Sequence, residues 1–111
     1  MNPRITSVVL SSNGKKATVT GPINWDDDET SAKFSAAVAQ VDGSGNTVVA
    51  MGQNTDTTYT NPTDQTWQAE VKTRTGEQLV AGKVNGWAAA AVLDTSNAYE
   101  CYSCQKKRVS V

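Results

Sequence analysis

The residues of this 111-residue chain that could carry chemistry are two cysteines, a short acidic run, three tryptophans and three tyrosines; there is no histidine. Cys101-Tyr-Ser-Cys104 has the CxxC spacing of thiol–disulfide exchange. That chemistry wants its first thiol at a helix N-terminus, where the dipole favours the thiolate. The residues before Cys101 read as β, with no βαβ unit ahead of them, so redox catalysis is not expected. A structural disulfide is the preferred reading, with geometry restricting where it can form. Residues three apart in an extended strand lie on opposite faces, about 10 Å apart, whereas a disulfide needs Cα atoms within about 7 Å. A Cys101–Cys104 bond therefore requires a turn or bulge between the last two strands, where it would stiffen a hairpin tip. Free thiols and pairing between chains are the alternatives.

Asp26-Asp27-Asp28-Glu29 could offer oxygens to a calcium ion. Three consecutive aspartates cannot all turn toward one ion from an extended chain, and the spaced DxDxDG loop is absent. A solvated turn is expected instead. Asp42, Ser44 and Asn46 alternate like calcium-loop ligands, but Gly43 and Gly45 already explain the segment as a hairpin loop. A carboxylate pair about 5–9 Å apart could hydrolyse glycosides without histidine. That chemistry usually needs a long cleft, which a chain of this size hardly builds. Trp25, Trp67 and Trp87 could form a sugar platform. Trp67 and Trp87 fall on faces read as inward and are expected in the core. Trp25, beside the acidic loop, is the tryptophan expected at the surface. Tyr59, Tyr99 and Tyr102 are read in or next to loops, where tyrosine offers contact area at low entropic cost. The candidate binding loops are thus Trp25 with Asp26, Asp27 and Asp28, together with Tyr59, Tyr99 and Tyr102.

The missing histidine removes Ser-His-Asp and Cys-His nucleophile systems. Two cysteines are too few for a zinc site. Neither GxGxxG nor GxxxxGK[ST] occurs, so no phosphate loop is expected. No cofactor and no metal site is therefore expected. The formal net charge is −1. Lys106-Lys107-Arg108 is the one basic cluster, and lysines on a last strand commonly protect a sheet edge. Nucleic-acid binding is not expected. No apolar run is long enough to cross a membrane as a helix. Residues 1–6 carry one basic side chain and no apolar core segment, so the start does not read as a secretory signal.

The elements that must position these residues are strands. Fourteen Thr, 13 Val and 13 Ala stand against 3 Leu, 2 Ile and 1 Phe. Val and Thr suit a pleated, half-buried surface, whereas helix bundles rely on leucine. Residues 4–10 are β-rich and lead into an Asn13-Gly14 turn, a strong hairpin signal. Lys15 to Ile23 returns as a second strand. Ala32, Phe34, Ala36, Val38 and Gln40 then form one alternating face. A helix over 28–41 is the competitor, since alanine is the best helix former. The strand is preferred because the period-2 pattern runs on without a break. Short or alternating runs follow at 47–51, 67–72, 83–93 and 102–111. The alanines at 36–39 and 88–91 suggest central, closely packed strands. Seven antiparallel strands in one domain over 1–111 make a two-sheet β-sandwich.

The carrying runs are Phe34-x-Ala36-x-Val38-x-Gln40, Trp67-x-Ala69-x-Val71, Gly82 with Trp87-Ala88-Ala89-Ala90-Ala91-Val92, and Arg108-Val109-Ser110-Val111. Their order resembles an immunoglobulin-like or fibronectin-type-III-like sandwich, as in small bacterial extracytoplasmic modules. The chain departs from antibody domains: no cysteine lies early enough for a bond between sheets, and no tryptophan sits in the third strand. The resemblance implies a non-catalytic recognition module whose loops bind a protein or a glycan, outside the cytoplasm or on a virion. The alternative is a structural component of an assembly, such as a virion decoration or tail protein, and a homo-oligomer fits either. A carboxylate-based enzyme is the third reading.

Overall fold

Alternation of large and small inward residues decides how tightly this chain can curl. The computed structural model describes residues 3–54 and 59–97, the backbone alone for 99–107, and 108–111. The strands are β1 (Ser7–Leu10), β2 (Lys16–Pro22), β3 (Glu29–Val41), β4 (Thr47–Gln53), β5 (Tyr59–Thr60), β6 (Thr66–Thr73), β7 (Lys83–Asp94) and β8 (Tyr99–Ser110). Every ladder is antiparallel. The strands follow one another as β1-β2-β6-β4-β3-β7-β8, and β5 adds to β3. The first and last strands of that order approach each other within 8 Å, and no ladder joins them among the described residues.

The all-β, antiparallel expectation holds, and so does the choice of strand over helix at β3. Two expectations change. Among the described residues there are eight strands, because the two-residue β5 escapes a periodicity reading. The strands also belong to one continuous sheet that curls into a nearly closed barrel, where two stacked sheets were expected. The physical reason is that β3 and β6 each have ladder partners on both sides, so the hydrogen bonding never breaks into two layers.

The inward face explains the curl. Ala17, Ala32, Ala36, Ala50, Ala69, Ala88 and Ala90 are buried along the strands. Small inward residues permit a narrow barrel whose interior is filled by side chains, and the molecule measures 49 × 22 × 20 Å. Bulk is concentrated where a glycine yields space. Trp67 is 1% exposed and lies opposite Gly21. A Cβ on Gly21 would fall 1.6 Å from the Arg4 carbonyl oxygen. That close approach brings the Arg4 carbonyl to the Trp67 indole, whose Nε1–H donates to it at 2.7 Å. Phe34 stacks on Trp67 at 5.3 Å and meets Tyr59 edge-on at 5.0 Å.

The other end of the barrel is braced differently. Gln40 is a buried polar residue on the inward face of β3. Its amide pairs with the Val80 backbone, accepting from Val80 N–H at 2.9 Å and donating to Val80 C=O at 2.7 Å. The side chain thus acts as a one-residue strand partner for the segment entering β7. Leu79 is buried beside it, with its N–H donating to Gly14 C=O at 2.8 Å.

Turns form where side chains satisfy local backbone groups. Gly14 adopts φ 71°, and the Asn13 carboxamide accepts from Lys15 N–H at 3.0 Å. The Asp42 carboxylate accepts from both Ser44 N–H and Asn46 N–H at 2.9 Å. The Asp42–Asn46 segment is therefore a hairpin loop that uses one of its oxygens internally.

Candidate interaction surface

The expected binding residues are spread over the fold. Asp26, Asp27 and Asp28 are exposed on the turn that enters β3. Glu29 N–H donates to Asp26 C=O at 3.1 Å, and Asp26 N–H donates to the Glu29 carboxylate at 2.6 Å. Asp28 C=O accepts from Thr95 N–H at 2.8 Å, tying the turn to the end of β7. Among the described residues, no group of three or more Asp, Glu or Cys is placed to hold a metal ion.

Two of the expected surface aromatics are built into the structure. Trp25 is half-buried against the core, and its indole N–H donates to Asp64 C=O at 2.8 Å. The expectation of an exposed Trp25 is corrected accordingly: its ring packs against the core. Tyr59 is half-buried as well, in β5. Its hydroxyl accepts from Gln68 N–H at 2.7 Å and donates to Gln68 C=O at 3.3 Å.

Tyr99 begins β8, close after the turn at 95–97, and Tyr102 lies within the strand; they pair with Leu93 and Ala90. Their side chains fall outside the described residues. The same holds for Cys101 and Cys104, whose backbones pair with Ala91 and Ala88. The turn that a Cys101–Cys104 bond would need is not at this place. The irregularity in the β7–β8 register comes after Cys104: Gly86 pairs with Lys107 and Ala88 with Cys104. Gln105 and Lys106 therefore stand opposite the single residue Trp87, a β-bulge.

Trp87 is the main correction among the tryptophans. It was expected inside and is 37% exposed. The inward residues of β7 are Val84, Gly86, Ala88, Ala90 and Val92. Both parities of the run 87–92 are apolar, so alternation within it cannot choose a face. The signal lies just upstream, where Lys83 and Asn85 share the parity of Trp87 and point that face to water.

Trp87 belongs to a surface that no loop reading would find. The register aligns Met51 on β4 with Ala37 on β3 and Trp87 on β7. Met51 is 66% exposed. Val49 and Ala39 lie one step along, and Val41, 67% exposed, lies beyond them. Ala89 and Ala91 continue the face along β7. The outer face of β2 and β6, by contrast, presents Thr18, Thr20, Gln68, Glu70 and Lys72.

The charged residues that point outward on β3 and β7 are basic, and the nearest exposed carboxylate on β6, Glu70, is paired with Lys16 at 3.9 Å. Lys33 on β3, Lys72 on β6, Lys83 on β7 and Arg108 on β8 are exposed along its border. Lys72 is the direct register neighbour of Met51, and Arg108 that of Asn85. The outward residues of β4, β3 from Ser31 to Val41, and β7 from Lys83 to Leu93 include no carboxylate. Past Lys72, a shallow depression of about 270 Å³ is lined by Lys15, Lys16, Lys72 and Arg74.

Comparison with family models, with curated proteins and with solved structures gives no match.

Proposed function

We propose that this protein is a non-catalytic interaction module that meets its partner through the outer face of β4, β3 and β7. The observation carrying this reading is the apolar row Met51–Ala37–Trp87 with Val49, Ala39 and Val41 beside it. An antiparallel sheet that only meets water alternates apolar-in and polar-out. β2 and β6 follow that rule, and β4, β3 and β7 depart from it. A contiguous apolar surface bordered by charged residues is the usual mark of a contact surface. Covering it stabilises a complex by roughly 25 cal/mol per Å² of apolar area removed from water.

A protein partner fits this face better than a glycan held by the loops. Trp25 and Tyr59, two of the four aromatic candidates for loop binding, already spend their polar atoms on Asp64 and Gln68. The second reading, a structural component of an assembly such as a virion decoration or tail protein, is favoured by the same face, since assembly proteins contact their neighbours through broad surfaces. The continuous ladder order argues for a curled single sheet over the two layers of an immunoglobulin-like sandwich.

The test is site-specific photo-crosslinking in the protein's native setting, with the reactive group at Met51, Gln68 or Asp27 in turn. A defined protein adduct from position 51 and none from position 68 is the expected result. Adducts from position 27 alone, or a glycan bound with Met51 left accessible, would return the function to the loops.

A further inference from the structure

We infer that the partner on this face is a second copy of the same chain, which docks its acidic 26–28 loop against the cations bordering Met51 and Trp87. This rests on the reading of the face just given and names its occupant. The argument is charge complementarity within one molecule. Asp26, Asp27 and Asp28 are exposed at the start of β3, with Asp94 beside Glu29 in the register. Lys33, Lys72, Lys83 and Arg108 border the apolar row. The chain's net charge is only −1, so copies do not repel each other at long range.

The acidic loop of a copy does not reach its own apolar row. Eight residues of extended strand separate Glu29 from Ala37, about 26 Å at the usual rise. The loop of one molecule therefore reaches the Met51–Trp87 row only on another. A symmetric, face-to-face dimer is disfavoured, because it would bring Lys33, Lys72, Lys83 and Arg108 against their own copies. The contact is instead heterologous, joining two different patches. Such a contact repeats into a chain unless its rotation closes a ring.

The experiment is sedimentation velocity on the full chain and on two charge-reversed variants. One variant carries Asp27→Lys and Asp28→Lys, the other Lys72→Glu and Arg108→Glu. All four positions are exposed, where substitutions usually change stability by no more than about 0.5 kcal/mol. Circular dichroism confirms that each variant folds. The wild-type chain should associate, and its association constant should fall on the order of tenfold between about 0.05 M and about 0.5 M salt as the charges are screened. Each variant alone should remain monomeric. Mixed, the two should associate again, since a positive loop then meets a negative face and the unaltered loop meets the unaltered face.

A wild-type chain that stays monomeric at low salt would overturn the inference. So would an association indifferent to salt and to both variants, or binding to anionic vesicles in place of self-association. The crosslinking at Met51 separates these failures from that of the broader reading: a different protein captured there leaves the face a contact surface with another occupant.

Discussion

At the scale of single residues, two tryptophans both expected inside have opposite fates. Trp67 sits in a strand whose other parity, Gln68, Glu70 and Lys72, is polar, so its inward position was legible from the sequence. Trp87 sits among alanines, and its face is decided by register, with Ala88 paired to Ala36 inside the barrel. The difference is measurable. Trp67→Ala removes a fully buried ring and its hydrogen bond to Arg4, and should destabilise the fold by about 3–5 kcal/mol. Trp87→Ala, at a partly exposed position, should cost far less. Urea unfolding of the two variants makes the comparison, and equal losses would place Trp87 in the core after all. Gly21 is a sharper case. Its Cβ would collide with the backbone at Arg4, so Gly21→Ala should displace the N-terminal segment from Trp67. A blue-shifted tryptophan emission unchanged from wild type would show that no displacement occurs.

At the scale of elements, the strands were legible and their closure was not. The period-2 run from Ala32 to Gln40 favours β3 over the helix competitor, because the alternation runs on without a break. Strand boundaries follow from local residues such as Asn13-Gly14 and Gly43 to Asn46. What joins β2 to β6, or β3 to β7, is a choice among distant partners that local alternation leaves open. That is why one curled sheet appears where two were expected. The Gln40–Val80 pairing illustrates the point. Gln40 reads as a polar residue on an apolar face, and only the fold supplies the backbone groups, forty residues away, that satisfy it. Gln40→Ala should destabilise the chain by about 1–3 kcal/mol, in the range for losing buried hydrogen-bond partners. It should also accelerate amide exchange at Val80 specifically. Protection at Val80 equal to wild type would mean that the brace carries no load.

At the scale of the whole molecule, the composition acquires a direction. Abundant alanine and valine with little leucine first suggests a sparse core. The fold uses alanine inside to narrow the barrel, and places further alanine, valine and methionine outside on β4, β3 and β7. The exterior is therefore divided into a polar face on β2 and β6 and an apolar, cation-bordered face opposite in character. Neither face was legible as such, because both depend on which strands become neighbours. Met51, Ala37 and Trp87 are separated in sequence by 14 and 36 residues and form one row only through the ladders.

The central claim is that this row is a contact surface for a second copy of the chain. The most direct measurement is NMR chemical-shift mapping of ¹⁵N-labelled chain at constant concentration, with unlabelled chain added. The account predicts shifts confined to the amides of Val49, Met51, Ala37, Ala39, Trp87 and their neighbours, together with those of Asp26 to Asp28. Shifts centred on the β2–β6 face, or none at any accessible concentration, would contradict it.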